Sequence, residues 1–479
     1  MGRRNSLPTI LSIRELSERI KSGQVSPVEL IEASLNKIEE LNPVLHSFIT
    51  VIKKEELLTQ ACIEEKEIKR GNYRGPLHGI PFSVKDNIYV KGIRCTCGSK
   101  ILSSYIPKSS ATVYRRMKKA GAIFIGTNNL NEFASGISGI NPFYGSSKNP
   151  WNIARLSGGS SGGSAVAVAT GMVLVSLGTD TGGSVRVPAS LCGVVGLKPT
   201  YGRISRHNIF PLSPTLDHVG CITRSVWDAA AVLEYIAGWD PLDGTSIDAG
   251  VPRYTTTVQK SNLDGKRIGV LKEYFCDRLH PEVLELFERL MGFLRSNKVT
   301  VVSGLKLHDS EEFYSSWLNI RLAEAANVHL RWLDTRAEEY SDEVRRMLVE
   351  GTKISEVDLS RSLSTVKELR RSFITMFSAQ KLDALTVPTT IIPAPQFGQY
   401  MASGTEIRRA LLRNSIVFNS TGLPSITVPI GLAKKQLPVG AQLIGLPFEE
   451  EKILSIAYCI ECINGSKDKF VPKINHLQK

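Results

Sequence analysis

The residues best suited to chemistry lie in two glycine–serine clusters, Gly158-Gly159-Ser160-Ser161-Gly162-Gly163-Ser164 and Thr181-Gly182-Gly183-Ser184, separated by an apolar segment. Glycine costs backbone entropy wherever the chain is ordered, so this density calls for positive φ or a close approach of backbone to a ligand. Serine hydroxyls set in bare backbone, with N–H groups free to face a substrate oxygen, suit acyl transfer. A further candidate is Lys85, where the apolar run from Ile80 to Val84 ends beside Ser83, Asp86 and Asn87. A lysine at a strand end is ordinarily a solvated terminus, but one buried among polar partners has a lowered pKa and can serve as a base.

The glycine–serine stretch admits three readings by pattern alone. Gly158 to Gly162 satisfies G-x-S-x-G, the nucleophile elbow of α/β-hydrolases, but that fold needs a later histidine and acid. The later histidines, at 207, 218, 280, 308, 329 and 476, offer no suitable site near the C-terminus, where His476 lies in a basic tail. A phosphate cradle of the G-x-x-x-x-G-K-[ST] kind fails because no lysine follows at the required place. Close packing alone leaves the alternation of the two clusters with serines unexplained.

The gross properties narrow the class. By length the 479 residues could form up to three domains, and 42% hydrophobic content allows a sizeable core. No apolar run reaches membrane-spanning length, and the basic N-terminus lacks the apolar core of a signal peptide. Its Met-Gly start matches a myristoylation signal only weakly, with Arg3 and Arg4 following at once. The net charge of +13 is compatible with an acidic partner such as RNA. The basic residues are, however, scattered and not interleaved with aromatics, as in a basic soluble enzyme. Eight cysteines spread over such a length suggest no disulfide scaffold, and a reducing cytoplasm is the expected location. Cys459-x-x-Cys462 and Cys95-x-Cys97 have no second pair or nearby histidine, so both read as buried cysteines and no metal is expected.

The elements that must position these residues read as mixed α/β. Ser26-Pro27 starts a helix with Val28, Ile31, Leu35 and Ile38 on one face, and Asn42-Pro43 is expected to stop it. Residues 53–70 predict a solvated surface helix, and residues 112–121 a helix leading into a strand at 122–126. The small-residue loop from Asn128 through Gly136 to Trp151 is a place for substrate contacts. A helix over 226–236, strands at 267–271 and 299–302, and a helix from Pro281 follow. Residues 309–380 look almost wholly helical, strands are expected at 382–388, 425–429 and 440–445, and a helix at 450–463 closes the chain.

GGSSGGSAVAVATG followed by SLGTDTGGSVRVPASLCGVVGLKPTYGRIS strongly resembles the amidase signature family, which includes general amidases, fatty acid amide hydrolase and the A subunit of the glutamyl-tRNA amidotransferase. The likeness spans roughly residues 10 to 465 and takes in His78-Gly79-Ile80-Pro81, Val84-Lys85-Asp86, Asn131-Glu132-Phe133, Asp217-His218 and Asn419 with Gly422-Leu423-Pro424. It implies an α/β amidase-signature fold, a central mixed β-sheet covered by helices on both sides, with a helical cap. The chain is expected to divide into an N-terminal helical segment at 1–70, the signature core at 71–240, an α/β extension at 241–308, a helical cap at 309–380 and a return to the sheet at 381–479, all within one domain. The resemblance also implies a Ser–cis-Ser–Lys triad of Ser184 as nucleophile, Ser160 as bridge after a cis peptide from Gly159, and Lys85 as base. The oxyanion would face the backbone N–H groups of Thr181, Gly182, Gly183 and Ser184. Ser161 would orient the triad, Asp180 and Arg186 would form a structural ion pair, Gly136 would sit in the substrate loop, and Cys192 would be a small core residue. No cofactor is implied.

Two functions within the family compete. The first is a free-standing amidase, alone or as a homodimer, that hydrolyses a small carboxamide to carboxylate and ammonia. The second is the A subunit of the glutamyl-tRNA(Gln) amidotransferase, which releases ammonia from glutamine for B and C subunits and acts only indirectly on tRNA. The sequence leans to the first. Gly139-Ile140-Asn141-Pro142 looks like general amidases, and Leu412 stands where the amidotransferase has an acid that binds the glutamine amino group. Arg345 or Arg346 could still mimic its carboxylate-binding arginine. A catalytically dead binding module is disfavoured because all three triad residues are present.

Overall fold

A computed structural model describes residues 11–307, 310–463 and 469–474. The basic start of the chain, His308 and His476 lie outside the described residues. Eleven strands form one mixed sheet: β1 (Phe48–Val51), β2 (Pro81–Lys85), β3 (Ile123–Asn128), β4 (Val175–Asp180), β5 (Val195–Lys198), β6 (His218–Thr223), β7 (Arg267–Val270), β8 (Thr300–Val302), β9 (Ala384–Pro388), β10 (Ser425–Ala433) and β11 (Leu437–Ile444). Their spatial order is β1-β3-β2-β4-β6-β5-β10-β11-β9-β7-β8. β2 runs parallel to both β3 and β4, whereas β6, β5, β10, β11 and β9 pair antiparallel in succession. The central strands are buried along their whole length, as a sheet covered on both faces requires. Alternation along β3 shows the two layers. Ile123 and Ile125 pack with the helices Pro27–Leu45 and Gly162–Ala169, while Phe124 packs with Met117, Trp227 and the helix Val226–Ile236.

Local signals account for many boundaries. Ser26 caps its helix by accepting from Val28 N–H at 3.0 Å, Glu29 closes a capping box, and Pro27 occupies the first turn. The helix does not stop at Asn42-Pro43, however; it runs to Leu45, with Pro43 inside its last turn. Burial of Leu41 and Leu45 outweighs the single backbone bond that proline forfeits, and His46 ends the helix in the left-handed conformation. Residues 310–380 form three helices, Ser310–Thr335, Asp342–Gly351 and Glu356–Gln380, the last two capped by Ser341 and Ser355. The 24-residue helix Phe397–Ser420 is not among the elements expected from the sequence. It begins in a glycine-containing polar run, breaks helical geometry at Ser403, and buries an unbroken stretch from Leu411 to Asn419, so no clean helical stripe marks it.

One glycine of the first cluster fixes how closely the layers approach. A Cβ at Gly163 would lie 2.4 Å from Ser47 O and 2.6 Å from Asn129 O, both main-chain atoms that cannot swing aside. Gly163→Ala is expected to lower stability by about 1–3 kcal/mol through overpacking. Gly292→Ala, in the helix Pro281–Ser296 with no atom within 4 Å of the added carbon, should raise it by about 0.5–1 kcal/mol. Denaturant midpoints of the two variants check both signs.

Candidate active site

Because β2 and β4 are parallel neighbours, with Val84 opposite Leu177, their C-terminal ends emerge side by side. That register brings Lys85, the last residue of β2, against Thr179 near the end of β4. Lys85 is fully buried. Its Nζ lies 2.7 Å from Ser160 Oγ, 2.8 Å from Thr179 Oγ1 and 3.4 Å from Thr179 O. Burial lowers the Lys85 pKa to about 7, against the opposing pull of the Asp180 and Asp217 carboxylates. Asn87, flagged in the sequence as a polar neighbour of the lysine, donates to the same Thr179 Oγ1 at 3.2 Å and so fixes that acceptor. Near neutrality the lysine is therefore an amine or an ammonium with little bias, and a hydroxyl at 2.7 Å can exchange a proton with it in either direction.

Ser160 follows a cis peptide bond from Gly159, at the position the resemblance implies. Its partner is Lys85 and not a histidine, which removes the chemistry of the G-x-S-x-G reading. Ser161 ties the two clusters together: its N–H donates to Ser184 O at 3.1 Å and its hydroxyl to Thr179 O at 3.2 Å. Ser184 is buried, and its hydroxyl makes no hydrogen bond among the described residues. It lines a cavity of about 180 Å³ with Thr181, Gly182, Gly136 and Trp317.

The loop between β4 and the helix Arg186–Cys192 is organised by Asp180. One carboxylate oxygen accepts from Gly183 N–H at 2.8 Å and the other from Val185 N–H at 3.0 Å, and Arg186 closes on both through Nη2 and Nε at 3.0 and 3.1 Å. Asn419 Nδ2 adds a bond at 2.8 Å. Burial alone would raise the Asp180 carboxyl, but the Arg186 guanidinium, with Lys198 and Asn419, holds it well below the usual carboxylate range. Asp180 and Arg186 thus form a fully buried ion pair, and neither lines the cavity beside Ser184.

The Gly183 N–H donates to Asp180 Oδ1, whereas among the described residues the N–H groups of Thr181, Gly182 and Ser184 donate to no protein acceptor. Trp317 Nε1 holds Thr181 O at 3.0 Å, and peptide planarity then turns the Gly182 N–H the opposite way. A Cβ at Gly182 would meet the Trp317 ring at 2.6 Å, and one at Gly183, with φ +125°, would meet Ser415 Oγ at 2.2 Å. Gly136 lines the cavity, and a side chain there would strike Asn131, whose Oδ1 accepts from Gly139 N–H.

Several contributors carried no readable signal in the sequence. Thr179 is one threonine among many, and only its register beside β2 makes it the lysine's acceptor. Trp317, Arg321 and Arg408 reach the cavity from the helices Ser310–Thr335 and Phe397–Ser420. The expectation of buried cysteines fares unevenly. Cys95, Cys97, Cys192 and Cys459 are buried, but Cys462 is exposed because it lies on the outer face of the last helix. Among the described residues Glu64, Glu67 and His78 gather closely enough to hold a metal. The Arg74 guanidinium instead bonds Glu67 and lies 3.7 Å from Glu64, while His78 Nδ1 accepts the Arg74 N–H, so the group is an ion-pair cluster. No described helix is long and apolar enough to cross a membrane.

The Amidase family profile matches residues 29–454. The chain belongs to the Amidase family. It is accordingly an enzyme of the amidohydrolase class. It is 38% identical over 475 residues to the A subunit of the glutamyl-tRNA(Gln) amidotransferase of Carboxydothermus hydrogenoformans, covering 94% of this chain and 96% of that one. Among solved structures, the corresponding A subunit of Thermotoga maritima superposes with a TM-score of 0.80 at 33% identity, covering 95% of each chain. The native peptide amidase of Stenotrophomonas maltophilia superposes with a TM-score of 0.83 at 31% identity, over 97% of this chain and 98% of that one.

Removing the Asp180 carboxylate would leave the buried Arg186 guanidinium without its counter-charge and the N–H groups of Gly183, Val185 and Arg186 without their acceptor. Asp180→Ala is expected to lose about 3–5 kcal/mol of stability, read from urea unfolding. A loss under about 1 kcal/mol would contradict the structural role given to the pair.

Proposed function

We propose that this Amidase family member cleaves a carboxamide through an acyl-enzyme on Ser184, with Ser160 relaying the proton to Lys85. The observation that carries the reading is the fully buried Lys85 Nζ at 2.7 Å from Ser160 Oγ. Serine is a weak nucleophile until its proton has an acceptor. Neutral Lys85 takes the Ser160 proton as Ser160 takes that of Ser184, and Ser184 Oγ adds to the amide carbonyl. The tetrahedral oxyanion is met by the N–H groups of Thr181, Gly182 and Ser184, each such donor being worth about 10²–10³ in rate. The proton returns through Ser160 to the leaving nitrogen, ammonia departs, and water releases the acid by the same steps reversed.

A second reading concerns the setting of this chemistry. The relatives favour it: those at 36–38% identity over 93–95% of this chain carry the name of the glutamyl-tRNA(Gln) amidotransferase A subunit, against the lean of the sequence to a free-standing amidase. Ammonia set free at Ser184 would then pass to the B and C subunits. The cavity lining favours the free-standing amidase, since Leu412 lines it where a glutamine site would place an acid. Turnover of simple amides by the purified chain, with none of glutamine, supports the free-standing enzyme. Glutamine turnover that appears only with partner subunits supports the amidotransferase.

Two outcomes test the chemistry. A fluorophosphonate is expected to label Ser184, as located by peptide mapping; an adduct on Ser160 would reverse the two serine roles. Since the base is the neutral lysine, kcat/KM should fall as pH drops below about 7 and level off above it. Lys85→Met should abolish that limb and lower the rate by at least about 10²-fold.

A further inference from the structure

The cavity in front of Ser184 holds a charge that the reaction itself does not use. Arg321, from the helix Ser310–Thr335, lines it while only 6% exposed. Among the described residues its hydrogen bond runs from Nη2 to Met347 Sδ at 2.9 Å, and its guanidinium carbon lies 5.6 Å from the centre of the Trp317 ring. A thioether is a weak acceptor and an indole face a weak partner for a cation, so most of the guanidinium fork is unsatisfied by these neighbours. Asp217, the acid that acts on it from a distance, is committed to Thr181 Oγ1 and to the N–H groups of Leu212 and Ser213. Burial lowers the Arg321 pKa to about 10, with Arg408 adding to the effect, so the group remains a cation at neutral pH.

Arg408, from the helix Phe397–Ser420, lines the same cavity; it pairs with Glu343 and lies 3.4 Å from Tyr400 Oη. Among the described residues no aspartate or glutamate lines the cavity, and Leu412 contributes an apolar wall. A buried guanidinium without a counter-charge is costly, and a carboxylate bound in its fork removes that cost with two parallel charge-assisted hydrogen bonds. An ammonium in the same space would meet two guanidiniums and no acid.

We infer that the site takes an amide whose short acyl chain ends in a carboxylate and carries no ammonium, with Arg321 reading the carboxylate. The monoamides of short dicarboxylic acids are the corresponding substrate class. The inference rests on the reading of Ser184 as the nucleophile facing this cavity, and it names what the acyl group must present there. Arg321 is a specificity residue and has no part in the proton relay.

Calorimetric titration with product acids separates this inference from the catalytic reading. Glutarate is expected to bind the wild-type chain at least about 30-fold more tightly than butyrate, which lacks the second carboxylate, and more tightly than glutamate, which adds an ammonium. Arg321→Met should erase the preference for glutarate while leaving butyrate binding within about threefold, and Arg321→Lys should retain part of it. In turnover, glutaramate should exceed both butyramide and glutamine in kcat/KM. Equal binding of glutarate and butyrate, a preference for glutamate, or an Arg321→Met variant that keeps the preference would each overturn the inference. Should Arg321→Met fail to fold, the wild-type ranking of the three acids decides alone. A fluorophosphonate adduct elsewhere than Ser184 with glutarate selectivity intact would sink the catalytic reading, and with it the substrate class, while leaving Arg321 as the carboxylate-binding residue of the cavity.

Discussion

The Asp180 carboxylate, fully buried at the end of β4, accepts from the backbone of Gly183, Val185 and Arg186 and from the side chains of Arg186 and Asn419. A buried ion pair is not in itself a source of stability, because desolvation of both charges offsets their attraction. Here it acts as a geometric constraint. The turn from strand to helix wraps around one anion, and Ser184 is held within it with a hydroxyl that has no hydrogen-bond partner among the described residues. Arg186 extends the constraint to Gln442 on β11 and to Ser415 and Asn419 on the helix Phe397–Ser420. The loop that carries Ser184 is thereby tied to parts of the chain more than two hundred residues away. The same constraint occupies the Gly183 N–H, so the proposed mechanism draws its oxyanion donors from the neighbours of Gly183.

A second constraint is the parallel pairing of β2 with β4. It places a lysine and a threonine from distant parts of the chain at one edge of the cavity and sets the lysine in a dry surrounding that holds its pKa near neutrality. The two kinds of buried cation at the site then serve different ends. Lys85 loses its charge readily and can exchange protons, whereas Arg321 keeps its charge and can only attract an anion.

Much of this was legible in the residues. The glycine–serine clusters, the lysine at a strand end and the helix capped by Ser26 follow from local chemistry, and the family resemblance joined Lys85, Ser160 and Ser184 across the chain. What was not legible depends on tertiary placement. The helix Phe397–Ser420 buries so much of its second half that no amphipathic stripe marks it, and Pro43 sits inside a helix because Leu41 and Leu45 are buried around it. Arg321 resembles any other basic residue on a charged helix until the fold closes it over the cavity. The bond from the Gly183 N–H to Asp180 could not be read at all, since it follows from where the Asp180 side chain points.

The account is tested most directly by a crystal structure of the enzyme with a phosphonate bonded to its nucleophile. The phosphoryl oxygen should lie about 2.7–3.1 Å from the backbone nitrogens of at least two of Thr181, Gly182 and Ser184. The Gly183 N–H should remain on Asp180, and Lys85 Nζ should remain on Ser160 Oγ. A phosphoryl oxygen bonded to Gly183 N–H, with Asp180 displaced, would contradict the account.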